Sequence, residues 1–378
     1  MASATDDRAT PTHGSVSSAP PDETSAERGR VERTLKDGYW DRTQIVHMAD
    51  GSRRVRKSSK GSAPPGPWGV AALRREIAYL MRLPLAARSV FPPLLAAWDG
   101  VVEGAPAVGY EVPFYAEHVD AGELLRRGVL EQAEIDSFQD ALAAALFDTV
   151  HAPLVTAEPP LSQHVRDVVS GALQLLEREP ELAALIDAPR IRLNGAPMAG
   201  LRAAFARIYE QGETLAALDR EPHVCLHGDC FLENVLWRPN RVVPSGAVAQ
   251  LLLIDPVSVA GVSQGPPLFD LVKYVSYASG ELAALRGEWV SVSGFEGEED
   301  GYGYAIRDSD PRLASYRTRD WHTRFRRAFE AKYGAPNTRL YRLLDGYFSV
   351  AMAANTSGLQ RRARLLKATL DFNAVLAE

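Results

Sequence analysis

The segment His227-Gly228-Asp229-Cys230-Phe231-Leu232-Glu233-Asn234 sets a carboxylate and an amide five positions apart, and the later apolar run Leu251-Leu252-Leu253-Ile254 ends in Asp255. An Asp carboxylate and an Asn carbonyl suit a hard, oxygen-seeking ion such as Mg²⁺, which takes one or two protein ligands together with substrate phosphates. Asn234 on a loop and Asp255 at a strand end meet that need. Asp229 then remains to orient or deprotonate an attacking hydroxyl, because phosphoryl transfer asks a protein mainly for positioning and charge neutralisation. Asp and Asn are also ordinary turn residues, so it is the joint spacing of the three that favours chemistry. His227 reads as a packed support for the loop, since the neighbouring Asp already supplies a base. Cys225 and Cys230 read as buried small hydrophobes, and no second Cys or His pair completes a zinc site.

The elements that must position these groups can be read from periodicity. Residues 1–28 are Ser, Thr, Ala, Pro and Asp with almost no large apolar side chain, and are expected to form a disordered tail. ERTLKDGYW, RTQIVHMAD and SRRVRKS then read as three short strands, the last two joined by an Asp50-Gly51 turn. Val70, Leu73, Ile77 and Leu80 recur at helical spacing with Arg74, Arg75 and Arg82 off the stripe. FPPLLAAWDG and PAVGYEVPFYAEHV supply further strands, and Asp120 can cap a helix beginning AGELLRRG, which puts a boundary near residue 119. Beyond it the pattern is mainly helical, with stripes at Ile135, Phe138, Leu142 and Leu146 and at Val165, Val168, Ala172 and Leu176. VCLHGDC, NVLWRP and QLLLIDP interrupt it as short strands framing loops. Asp270 in PPLFDLVKY reads as a helix cap.

HGDCFLEN followed by LLLIDP resembles the signature of the aminoglycoside phosphotransferases and choline-kinase-like small-molecule kinases, which share the protein-kinase fold. The resemblance implies an α+β, two-lobed, protein-kinase-like fold: a nucleotide-binding lobe over residues 29–119, made of a small antiparallel sheet and one helix, and a larger helical lobe over 120–378. It also implies a catalytic base at Asp229, magnesium on Asn234 and Asp255, a phosphate-holding Lys on SRRVRKS with a Glu partner on LRREIAYL, and support of the catalytic loop by Asp270, whose place also suits a cap. Side chains alternate along a strand, so Val55 and Lys57 share one face and Arg54 and Arg56 the other, which selects Lys57. Glu76, three residues after Leu73 and four before Leu80, borders the buried helix face and can point at Lys57. Backbone near Tyr115 to His118 would meet adenine. Departures are visible as well: Gly38 stands alone in the first turn, and Asp255-Pro256-Val257 replaces Asp-Phe-Gly, which argues against a protein substrate.

The implied reaction is transfer of the γ-phosphoryl group of ATP or GTP, assisted by Mg²⁺, to a hydroxyl of a small molecule. An antibiotic is the preferred acceptor, and a metabolic alcohol such as choline, homoserine, a sugar or a thiosugar is the alternative; a non-catalytic nucleotide-binding relative is a third reading. The acidic stretch 294–311 reads as a solvated loop, and a cationic acceptor would seek its carboxylates. A sum of 42 basic and 48 acidic residues gives −6, which disfavours nucleic acid as a partner. No apolar run is long enough to span a bilayer or to resemble a secretory signal, so a cytoplasmic monomer or homodimer without a membrane role is expected.

Overall fold

The computed structural model describes residues 16–17, 29–37, 41–60, 68–102, 105–152, 160–239, 250–257, 261–295 and 301–378. Contacts divide the chain into two units, one holding the residues up to His118 together with Leu252–Gly261, the other Val119–Leu251 with Val262–Glu378. The tail expected over 1–28 lies outside the described residues, apart from a two-residue strand at Val16–Ser17.

In the first unit that strand, β1, joins β2 (Arg30–Asp37), β3 (Asp41–His47), β4 (Arg53–Ser59), β5 (Ala96–Val102) and β6 (Ala105–Pro113), with α1 (Trp68–Arg82) following β4. The sheet order is β1-β5-β6-β4-β3-β2. β1 runs parallel to β5, and every other neighbouring pair is antiparallel. Between β3 and β4 the chain reverses as the sequence suggests: Gly51 takes φ +82°, Met48 N–H bonds the Ser52 carbonyl at 2.8 Å, and the Asp50 carboxylate accepts from Ser52 N–H at 2.8 Å. The α1 stripe buries Leu73, Ile77 and Leu80 and leaves Arg74 and Arg82 outside, so helical spacing locates the packed face.

β4 shows the alternation most plainly. Lys57 is buried at 5% exposure, while Arg54 and Arg56 turn to the opposite face, where both reach the buried Glu111 of β6 at 3.0 and 2.6 Å. Close strand approach beside Lys57 depends on a missing side chain. A Cβ on Gly109 would lie 2.3 Å from the Trp98 ring and 2.6 Å from the Lys57 carbonyl oxygen.

The second unit begins with β7 (Val119–Asp120) and the helices α2 (Ala121–Arg127), α3 (Gln132–Ala143), α4 (Leu161–Leu176) and α5 (Pro180–Asp187). A hairpin, β8 (Arg190–Leu193) and β9 (Ala196–Ala199), precedes α6 (Leu201–Gln211) and α7 (Glu213–Arg220). Short strands follow: β10 (Val224–Cys225), β11 (Val235–Trp237), β12 (Leu251–Leu253), which crosses the unit boundary, and β13 (Gln264–Gly265). After α8 (Leu268–Ala278) and α9 (Glu281–Arg286) comes a second hairpin, β14 (Val290–Ser293) and β15 (Gly303–Ile306). The chain ends in α10 (Ala314–Thr318), α11 (Thr323–Tyr333), α12 (Thr338–Ala353) and α13 (Gly358–Ala377). Asp120 caps α2 as expected, accepting from Glu123 N–H at 2.5 Å.

Three readings need correction. In α4 it is Val169, fully buried, rather than Val168 that completes the inward stripe with Val165, Ala172, Leu173 and Leu176. Within the acidic stretch read as a loop, Gly303–Ile306 is a strand, because Tyr304 turns inward and Ala305 outward with strand alternation. Glu296, Glu298, Glu299 and Asp300 of that stretch lie outside the described residues. The cap reading of Asp270 is the third, and the loop support that Asp270 gives instead is described with the site below. Among the described residues no helix is long and apolar enough to cross a membrane. We predict that Gly109→Ala lowers unfolding stability by about 1–3 kcal/mol through overpacking, read as a lower urea midpoint with an unchanged m-value.

Candidate functional site

In the first unit the chemistry gathers on one ammonium. Lys57 Nζ lies 2.9 and 3.1 Å from the two Glu76 oxygens, 3.0 Å from Asp255 Oδ1 and 3.5 Å from Asp41 Oδ2. Tyr110, which pairs with Lys57 across β4 and β6, donates its hydroxyl to Glu76 Oε1 at 2.7 Å. Burial works against the lysine charge, but Asp255 and Glu76 hold it well above the ordinary range. Glu76 is pushed up to about 7, first by its own burial and, against the pull of Lys57, by the neighbouring Asp255 charge. Three carboxylates around one ammonium leave negative charge uncompensated, and these hard oxygen donors are the type that a divalent cation takes.

Asp255 is held in an unusual conformation. Its φ is +52° and that of Val257 is +60°, both left-handed, and a β-branched residue there costs about 1–2 kcal/mol. Such strain persists where surrounding structure fixes it; Val257 is buried, and Gly261 at the end of the same segment packs against Arg75 of α1. Tyr115 and His118 lie in the turn after β6, with His118 N–H on the Tyr115 carbonyl at 3.2 Å and their rings edge to face at 5.5 Å.

In the second unit the HGDCFLEN loop is held by α8. Asp270 is fully buried, and its carboxylate accepts from His227 N–H and Gly228 N–H, both at 2.8 Å, and meets His151 Nε2 at 3.0 Å. Of the two roles that Asp270 suits, the structure has loop support rather than a helix cap, and Pro267 occupies the cap position. Gly228 turns with φ +78°, which a glycine adopts freely. His151 arrives through a π-helical turn over Ala144–Val150, and its Nδ1 meets the Tyr333 hydroxyl at 3.2 Å. His227 is buried, its Nδ1 accepting from Asp229 N–H at 3.3 Å, in keeping with a supporting role.

One turn beyond Asp270 on the same helix face, Lys273 places Nζ 3.0 Å from Asp229 Oδ1 and 4.4 Å above the Phe348 ring. Asn234 Nδ2 bonds the Asp229 carbonyl at 2.9 Å and Oδ2 at 3.3 Å, which leaves its amide oxygen as the atom able to ligate a cation. Sequence reasoning does not single out Lys273 or His151. The spacing of Asp270 and Lys273 could suggest the first, whereas nothing local marks His151. Cys230 is fully buried, and burial, then the Asp270 and Asp229 charges, raise its thiol well above the usual range. Among the described residues no three His, Cys, Asp or Glu side chains form a self-sufficient metal cage.

No protein-family model and no curated protein matches the sequence. A solved structure described as a fructosamine-3-kinase from Thermobifida fusca aligns over 93% of this chain and 96% of its own, at 13% identity and a TM-score of 0.50. The chain has the fold of a small-molecule kinase. Structures of an amicoumacin kinase (8% identity, 90% and 87% of the two chains, TM-score 0.42) and of macrolide 2'-phosphotransferase type I (15%, 89% and 89%, 0.38) align less closely. In this kinase fold the resemblance read from HGDCFLEN and LLLIDP has its structural setting: strand, loop, strand.

The buried Asp270 predicts a pH signature. Burial penalises its charge, yet the hydrogen bond and charge of His151, with the His227 backbone, hold the carboxyl below the ordinary aspartate range. Its stabilising contribution is then complete above the unfolded value of about 4 and is lost as pH falls through the lower folded value. Asp270→Asn should cost about 3–5 kcal/mol near neutral pH, with the gap to wild type in denaturant titrations closing below about pH 4.

Proposed function

We propose that the chain is a nucleotide-dependent phosphotransferase of the cytoplasm, moving the γ-phosphoryl group of ATP or GTP to a hydroxyl of a small molecule. The observation that carries this reading is the Lys57 ammonium, buried and met by Glu76 and Asp255. A buried ammonium beside Asp255, in a chain whose loop holds Asp229 against Lys273, fits phosphate binding.

Within this reading Lys57, held by Glu76, binds the α- and β-phosphates, and the backbone from Tyr115 to His118 receives adenine. Asn234 and Asp255 would each offer an oxygen to magnesium, which when bound would supply neutralisation of phosphate charge. Asp229 accepts the proton of the acceptor hydroxyl and aligns its oxygen; Lys273 and Asn234 keep the carboxylate from rotating. An antibiotic or other natural product is the proposed acceptor, supported by the sequence resemblance and by an Ala- and Arg-rich composition typical of high-GC bacteria. The alignment with a fructosamine-3-kinase favours a second reading, a metabolic kinase with the same machinery and a different acceptor.

Asp229→Asn should lower phosphoryl transfer by about 10²–10⁴-fold while nucleotide affinity changes little, measured by ADP release over an acceptor panel and by calorimetric titration with ATP. Full activity in that variant removes the base assignment. EDTA should abolish transfer, with Mg²⁺ restoring it; wild-type protein that turns over no nucleotide with any acceptor would instead be a binding module.

A further inference from the structure

We propose that Asp41 is a specificity-determining residue of the nucleotide site: its carboxylate holds the Lys57 donor that a phosphate has to take, and so favours a nucleotide chelated by a divalent cation over the free polyanion. The proposal rests on the phosphotransferase reading and deepens it, since it names the form of the nucleotide that the site accepts.

Strand alternation brings the two residues together. β3 and β4 pair in continuous register, with Thr43 opposite Lys57 and Asp41 opposite Ser59. Residues directly opposite share a face, as do residues two apart on one strand, so Asp41, Thr43 and Lys57 project from one side of the sheet. Asp41 is thus the diagonal neighbour of Lys57, within reach of a long side chain, and its Oδ2 lies 3.5 Å from Nζ. The Asp41 side chain is 16% exposed, so water and salt screen its charge poorly.

An ammonium has three N–H donors. Around Lys57 stand Glu76 at 2.9 and 3.1 Å, Asp255 at 3.0 Å and Asp41 at 3.5 Å, so the three donors already have three carboxylates to serve. A phosphate oxygen that takes one of them displaces a carboxylate. Glu76 is buried and also accepts the Tyr110 hydroxyl at 2.7 Å, which fixes it from a second side. Asp255 stands closer to Nζ than Asp41 does and carries the magnesium role in the phosphotransferase reading. Asp41 has the longest contact of the three, and among the described residues no second polar partner holds its carboxylate. Rotation about its Cα–Cβ bond therefore frees the donor at the least cost.

Once turned aside, the carboxylate still stands near the incoming phosphates, and Coulomb repulsion grows with the charge of the ligand. A chelated divalent cation cancels two of those charges, so the free nucleotide is penalised more than its metal complex.

The test uses the full-length protein and calorimetric titration with ADP, in EDTA or in excess Mg²⁺, and with adenosine as an uncharged control. Asp41→Asn keeps the shape of the side chain and removes its charge; Asp41→Ala removes both. Either change should tighten free ADP by about 10- to 100-fold and its magnesium complex by about 3-fold or less, with adenosine unchanged. A carboxylate that only anchors Lys57 gives the opposite result, a lower melting temperature and weaker ADP binding. Free ADP bound no tighter by either variant overturns the assignment of Asp41, as does an equal gain with adenosine, which reports shape rather than charge. ADP release absent with every acceptor, while Asp41→Asn still tightens free ADP, removes the phosphotransferase reading alone. Release that proceeds in wild type, with free ADP bound no tighter by the variants, removes the assignment of Asp41 alone. ADP bound by no form of the protein in either medium removes both.

Discussion

A single carboxylate organises the HGDCFLEN loop. Asp270 is out of contact with water, so its charge must be met entirely by protein donors, and the structure supplies two adjacent backbone N–H groups and an imidazole. Each donor constrains a different part of the chain: the amides of His227 and Gly228 fix the start of the loop, and His151 ties in the π-helical turn after α3. Because the charge is desolvated, losing any one donor leaves it short of compensation. Loop, α8 and the end of α3 are thereby locked to one another, and Asp229 inherits its position from that lock.

Lys57 solves the opposite problem. There a single cation is surrounded by three carboxylates, and Glu76 is displaced upward first by its own burial and then by the Asp255 charge. Tyr110 contributes a neutral donor to Glu76, which steadies the acid without adding charge. The left-handed backbone at Asp255 and Val257 belongs to the same arrangement, since it turns the segment after β12 at the residue that meets Lys57. The two units thus use contrasting electrostatics, one a saturated anion and the other an undersaturated group of acids.

Much of this is legible in the residues. Period-two alternation in β4 separates Lys57 from Arg54 and Arg56, and helical spacing in α1 sets Glu76 at the margin of the buried stripe; both are local rules with fixed geometry. Asp229, Asn234 and Asp255 stand out because their types and spacing suit one chemistry. What escapes is non-local. His151 lies 119 residues from Asp270, and Glu111 lies 57 residues from Arg54, so neither pairing leaves a periodic trace. The place of Asp270 in the first turn of a helix is a local signal that suits a cap; only the family resemblance points to the loop it serves, 42 residues away. The β14–β15 hairpin is obscured by acidic and glycine residues whose composition resembles a loop.

Cys230 stands immediately after Asp229, a position that invites thought of covalent inhibition. Its sulfur is enclosed, and the carboxylates of Asp270 and Asp229 oppose formation of the thiolate. Nucleophilic attack requires that thiolate, so acrylamide or chloroacetamide warheads directed at this loop would find an unreactive target. The enclosed thiol of Cys230 therefore offers an inhibitor no ready point of covalent attachment.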